Sequence, residues 1–348
     1  MEPAATQPGH LRASETSLGN LWEFVLSLLE VVAAGSVAEI GAFRGELTRD
    51  LLTWAERADA EVIAIDPKPP AELLRLQESN QRLRLINRTS LEALRHIAMP
   101  DVVIIDGDHN YYTVSEELRA IEDRAVGDIP LLLFHDVAWP LARRDTYHSP
   151  ERIPAEHRQP LLPDVGLSSE PDFAADRPFA HVAAREGGPR NGVLTAIEDF
   201  LAERSGIRLA VIPAFFGFGV LWRNDAPWGA AVANIVAPFD RHPVLERLER
   251  DRVVRLLTQL GTARQLAALE QQNDELREQL VSKDTALQAT LTSRTYALSK
   301  LLSSLATRAR FATSRLRAAN LSKRLVSRHL NETEGAHVDE TVTPLHPT

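Results

Sequence analysis

Between Ser36 and Trp222, short runs of β-branched and aliphatic residues alternate with stretches whose apolar positions recur every three or four residues. Runs of the first kind suit buried strands and stretches of the second kind suit amphipathic helices. Their alternation is the pattern of βαβ units around a parallel sheet. The pattern predicts seven strands, at 37–40, 61–66, 83–87, 101–106, 129–136, 207–213 and 215–222. Helices are expected at 20–33, 45–57, 70–79, 90–97, 113–124 and 191–204, the first with Leu21, Phe24, Val25, Leu28, Leu29 and Val32 on one face. Only a tight link at Pro213 separates the last two strands, too little chain for a crossover, so they pair antiparallel at the sheet edge.

The alternation breaks at 137–190, a stretch rich in Pro, Arg and His and far longer than an ordinary connection. Trp139, Tyr147, Phe173 and Phe179 would anchor it as an ordered lid; a floppy insertion is the alternative. Beyond Asn224, Pro227 and Pro238 mark a linker over 225–242 before a helical region from 243. There Leu266, Leu269, Asn273, Leu276, Leu280 and Leu287 follow alternating spacings of three and four, with Lys283 in the remaining slot, as in a short coiled coil with a polar seam residue. A helix folded back on the domain is the competing reading. The domain plan is therefore a flexible start at 1–19, an α/β domain at 20–224, the linker, a coiled-coil and basic helical region at 243–330, and a disordered end at 331–348.

Composition narrows the classes. With 44% hydrophobic and 25% charged residues the chain can bury a core, and with no cysteine it has neither disulfides nor thiolate-bound metal. No basic start leads into an apolar run, and no stretch of about 18 uncharged apolar residues occurs, which points to a cytoplasmic, non-spanning protein. The net charge of -9 is unevenly spread: residues 285–331 hold nine bases and no acid, leaving 30 bases against 48 acids elsewhere. The tail over 296–330, with Leu298, Leu301, Leu302, Leu305, Ala309, Ala312 and Leu316 on one face, suits an anionic membrane surface or an acidic partner. A solvated or disordered tail is the bland alternative. Scarce aromatics argue against nucleic acid.

Two strand ends carry the first candidate chemistry. Glu39, Gly41, Ala42, Phe43, Arg44 and Gly45 join the first strand to its helix, where glycines admit close backbone approach and a helix start offers free N–H groups. The turn lacks the third glycine of a dinucleotide fingerprint, which disfavours an NAD-dependent oxidoreductase. Asp66, ending the second strand, sits where an acid accepts hydrogen bonds from ribose hydroxyls, so an adenosine-containing ligand is expected. Ser90 would lie beside the adenine or act as a helix N-cap. Asp106, Gly107, Asp108 and His109 close the fourth strand, and His135 and Asp136 close the fifth, on one crevice. Asp106 and Asp136 offer hard oxygen ligands, and His109 offers a base that titrates near neutrality.

The segments EIGAFRGELT, AID, INRTS, DVVIIDGDHNYYTVSEEL and LLLFHD together resemble the class I S-adenosylmethionine-dependent methyltransferases, within the branch of macrolide-sugar O-methyltransferases and cephalosporin-hydroxylase-like proteins. The likeness covers about residues 20–224. It implies a Rossmann-like seven-stranded α/β sheet with the last strand antiparallel, here followed by the helical extension. It also implies S-adenosylmethionine as cofactor, bound by Glu39, residues 41–45, Asp66, Ser90 and Asp106, and methyl transfer to a hydroxyl of a sugar, glycan or glycosylated small molecule.

Carried over residue by residue, the resemblance gives Asp106 and Asp136 to a divalent cation, Mg²⁺ or Mn²⁺, and His109 with Asp106 to catalysis. His135 stands where the relatives carry an acid; it is a third ligand, a second-shell group or a substrate contact, and imidazole shifts the preference toward Mn²⁺. A purely structural network at the strand ends is the competing account. Tyr111 and Tyr112 either cover the cofactor or pack the helix, and Arg190 and Asn191 either meet substrate or lock the lid. LTSRTYALSKLL faintly resembles helical linkers of bacterial cell-surface glycan assembly proteins, so glycan biosynthesis is the expected setting. Homo-oligomerisation through the coiled coil and peripheral contact with the inner membrane face complete the expectations. The rival function is a non-catalytic scaffold of this fold.

Overall fold

The computed structural model describes residues 16–125, 128–162 and 181–334. Phe173, Phe179, the middle of the insertion, most of the expected flexible start and residues 335–348 lie outside that range. The strands are β1 (Ser36–Ile40), β2 (Glu61–Ile65), β3 (Leu83–Ile86), β4 (Val102–Ile105), β5 (Leu131–His135), β6 (Ile207–Ile212) and β7 (Phe218–Arg223). They form one sheet in the order β3-β2-β1-β4-β5-β7-β6. Strands β1 to β5 are parallel to their neighbours, and β7 runs antiparallel to both β5 and β6. The final hairpin thus sits at the expected edge, with β7 inside and β6 outermost.

Alternate residues of each strand feed the two faces. Helices α1 (Trp22–Val32), α2 (Glu46–Ala58), α3 (Ala71–Ser79) and α7 (Gly229–Val236) cover one face, and α4 (Ser90–Leu94), α5 (Tyr111–Ala125) and α6 (Val193–Ala202) cover the other. Helix α1 follows from Val25, Leu28 and Leu29, all buried, and stops at Ala33, whose φ of 53° breaks the helical path. Helix α5 starts two residues earlier than its apolar pattern suggests, because Asn110 Oδ1 accepts the N–H of Thr113 at 2.8 Å.

Two expectations about boundaries change. The stretch read as a linker contains α7, whose Val232 and Val236 are buried against the α1 face of the sheet. Strand β7 starts at Phe218 rather than 215, since Phe215, Phe216 and Gly217 hold φ of 50°, 67° and 99°. A Cβ on Gly217 would lie 2.2 Å from the Ala138 nitrogen, so glycine is required there.

The chain divides into two compact units, Met1–Gln265 and Leu266–Thr348. In the first, the opening turns of α8 (Pro243–Thr292) pack Val253 and Leu257 with Leu141 and Phe216. In the second, the rest of α8 and then α9 (Arg294–Glu334) are helical, so residues 331–334 end a helix rather than start a disordered tail. No helix among the described residues is long and apolar enough to cross a membrane.

Candidate active site

The chain runs from β1 outward to β3, then returns to place β4 on the other side of β1. Such a reversal opens a crevice at the carboxyl ends of the two strands. Gly41 stands on one lip with φ of 87°, and a Cβ there would lie 2.1 Å from the Asp106 carbonyl oxygen. Only glycine lets the two lips approach so closely. Gly45, φ 72°, starts α2; a Cβ on it would meet Leu76 at 2.6 Å. Between them Ala42 is buried, while Phe43 and Arg44 are exposed, the guanidinium 5.3 Å from the ring centre.

Asp66 is tied to this turn. Its Oδ2 accepts the N–H of Phe43 at 3.1 Å and its Oδ1 that of Lys68 at 2.7 Å. A carboxylate has about four lone-pair positions, so two stay open toward the partly exposed side. Glu39 is tied to the helix behind the turn. It points to the α2 side of β1, is buried, and accepts the Thr48 hydroxyl at 2.5 Å. Burial raises its pKa to about 8 despite that bond, and the pair braces strand to helix. Ser90 also yields its expected capping part: Thr89 caps α4 in a reciprocal box with Glu92, and Ser90 is the polar neighbour of buried Glu117.

On the other lip the four residues read from the ends of β4 and β5 converge. His135 Nδ1 lies 2.9 Å from Asp106 Oδ1 and 3.6 Å from Asp136 Oδ1. His109 Nδ1 lies 3.3 Å from Asp136 Oδ2, and its Nε2 lies 3.8 Å from Asp106 Oδ1. His135 Nε2 donates to the Phe215 carbonyl at 2.7 Å. Burial alone would lower the His135 pKa, but the charges of Asp106 and Asp136 and the bonds to Asp106 and Phe215 lift it to about 9. It is therefore an imidazolium at neutral pH, placed between two carboxylates.

That arrangement does not fit the expected cation site. A histidine ligand must present a lone pair, whereas both His135 nitrogens act as donors here. Three of the four Asp106 and Asp136 oxygens already face imidazole nitrogens. Among the described residues no group of three or more His, Asp or Glu side chains is placed to hold a metal ion. The His135 imidazolium offsets one of the two carboxylate charges.

The backbone that holds His135 is itself supported. Glu249 accepts the Phe216 N–H at 2.7 Å and is gripped by Arg252, whose guanidinium lies 5.1 Å and 5.0 Å from the Phe215 and Phe216 ring centres. This support from α8 was missed because FFGFG reads as a strand, although a glycine within such a run is the mark of a bulge.

The described parts of the insertion are ordered by a polar hub. Buried Asp145 accepts the N–H groups of Tyr111 (2.8 Å) and Gly192 (2.6 Å) on one oxygen and the Tyr147 hydroxyl (2.7 Å) on the other. Asn191 Oδ1 accepts the Asp145 N–H at 2.8 Å, and its Nδ2 donates to the Arg185 and Gly187 carbonyls. Asn191 thus locks the insertion. Tyr111, through its backbone N–H to Asp145 and its hydroxyl to Asp199 (2.9 Å), braces α5 and α6, while Tyr112 stacks on His157. The hub sets His148 beside the cluster, its ring 6.0 Å from that of His109, while Asp108 accepts the His148 N–H at 3.0 Å.

Sheet order and the inserted antiparallel strand are those of the class I methyltransferases, and residues 38–137 match the family described as a methyltransferase domain. That match spans 100 of the 348 residues. No curated protein matches the chain. Among solved structures, the methyltransferase domain is similar to the S-adenosylhomocysteine-bound methyltransferase PaMTH1 of Podospora anserina, at 18% identity and TM-score 0.39 over 62% of this chain and 83% of that one. Cofactor-bound Rv0187 from MTB is 14% identical, TM-score 0.36, over 62% and 83%. The 1,6-didemethyltoxoflavin N1-methyltransferase of Burkholderia thailandensis is 15% identical, TM-score 0.37, over 59% and 77%.

Proposed function

We propose that the methyltransferase domain uses S-adenosylmethionine to methylate a hydroxyl of a sugar, glycan or glycosylated small molecule. The observation that carries the reading is the juxtaposition, across one crevice, of the Gly41–Asp66 turn with the His109–Asp136 pair. The open lone pairs of Asp66 suit the vicinal hydroxyls of the cofactor's ribose. When bound, S-adenosylmethionine supplies an electrophilic methyl group on a sulfonium.

The chain's own residues supply the proton chemistry. His109 Nδ1 lies 3.3 Å from Asp136 Oδ2, a proximity that favours the proton on Nδ1 and Nε2 as the basic nitrogen. Nε2 would take the acceptor's hydroxyl proton as that oxygen bonds to the methyl carbon and the carbon–sulfur bond breaks, releasing neutral S-adenosylhomocysteine, with Asp136 beside the resulting imidazolium. His135 lies between the two carboxylates and partly offsets their charge beside His109. The described parts of the insertion, fixed by Asp145, place His148 beside His109.

The exposed seam Leu266–Leu287 supports a second part of the reading, pairing with a second copy of the chain. The test of function is direct: incubate the full chain with S-adenosylmethionine and a panel of nucleotide sugars and glycans, and follow S-adenosylhomocysteine and product mass together. A methylated hydroxyl supports the reading. Tight cofactor binding without transfer to any member of the panel would favour the scaffold reading.

A further inference from the structure

Helix α9 carries an apolar stripe with no partner among the described residues. Leu298, Leu301, Leu302, Leu305 and Leu316 are exposed on one face, with Ala309 and Ala312 between them. At about 100° per residue these positions span a sector roughly 100° wide and, at about 1.5 Å per residue, about 28 Å long. Arg308 and Arg315 follow one border of the stripe, and Arg310 and Arg317 follow the other. Residues 285–331 contain nine bases and no acid.

These charges select the occupant. Against a second α9, the bordering arginines would face arginines with nothing to offset them, so self-pairing is opposed. The neutral glutamines Gln265, Gln272 and Gln279 beside the α8 seam set no such barrier. A nucleic acid would satisfy the arginines and leave the leucines in water. A lipid surface with anionic headgroups satisfies both: the leucines enter the acyl boundary while the arginine stems bend outward to the phosphates.

We propose that α9 lies flat on anionic lipid, holding the chain at a membrane surface. This inference is independent of the methyltransferase reading. The rest of the chain, with 30 bases against 48 acids, is repelled by such a surface, so attachment belongs to α9 alone.

The test is flotation of the full chain with phosphatidylcholine vesicles, with and without phosphatidylglycerol. The parent should float with the anionic vesicles and stay below with the neutral ones. Arg308→Glu/Arg315→Glu should weaken binding by at least roughly tenfold. Leu305→Gln/Leu316→Gln, which leaves the charge unchanged, should weaken it as much, with helix content in both variants checked by circular dichroism. Failure of the parent to float, equal binding to both vesicle types, or undiminished binding by the leucine variant would overturn the proposal; the last would mark a simple polyanion contact.

Discussion

His135 Nδ1 donates to Asp106 Oδ1 across 2.9 Å, which makes a buried histidine the counter-ion of two carboxylates at the ends of adjacent strands. Removing the imidazole would strand two negative charges in a desolvated place. His135→Ala should therefore cost about 3–5 kcal/mol, read from chemical denaturation.

The same pair sets a pH dependence. A group whose folded pKa is raised stabilises the fold below its unfolded value and loses that effect as pH climbs through the folded one. For His135 the loss runs from 6.5 to about 9. Glu39 and Glu117, both raised to about 8 chiefly by burial, add loss from 4.5 upward, because the native state holds protons the unfolded state releases. Stability should fall as pH rises from about 5 to about 9. Glu39→Gln should match the parent near pH 5 and exceed it near pH 9. A flat profile in thermal melts would show these groups are not buried as described.

His109 should matter to turnover and not to cofactor binding. Loss of a positioned base costs a factor of about 10² to 10⁴, so His109→Ala should bind S-adenosylhomocysteine like the parent while its turnover on the accepted hydroxyl collapses. Chelator should leave the parent's turnover unchanged. A strict need for added Mg²⁺ or Mn²⁺ would return Asp106 and Asp136 to the role of ligands.

Asp145→Ala should release the insertion, since two N–H groups and a hydroxyl lose their acceptor. Each orphaned donor costs about 1–3 kcal/mol. Limited proteolysis should then cut within 137–162 while the sheet resists; unchanged protection would remove Asp145 from the hub.

Sheet and crevice were legible because both rest on short-range signals: apolar strands of fixed length, glycines at forced turns, and acids at strand ends. The state of the four strand-end residues was not. Asp106, His109, His135 and Asp136 could be named as one cluster, but whether His135 faces a metal or a carbonyl depends on Phe215, eighty positions away and in a turn that reads as strand. Asp145 escaped for the same reason. Its three partners lie at 111, 147 and 192, and nothing local sets it apart from any acid in a polar loop. For Glu39 the position on the strand was plain and the face it points to, toward Thr48, was not.

The seam of α8 predicts self-association in the full chain. Leu269→Asp/Leu276→Asp should convert it to a monomer by sedimentation, and Asn273→Leu should raise stability while loosening the choice of strand number. An oligomer that survives the aspartates would place the interface elsewhere.

The most direct test of the central claim is calorimetric titration of the full chain with S-adenosylhomocysteine, beside Asp66→Ala and Gly41→Val. The parent should bind one equivalent. Asp66→Ala should bind roughly ten- to a hundredfold more weakly for want of a charged hydrogen-bond acceptor, and Gly41→Val should not bind, because its side chain would force the two lips apart. No binding by the parent, or undiminished binding by Asp66→Ala, would contradict the assignment of this crevice to the cofactor.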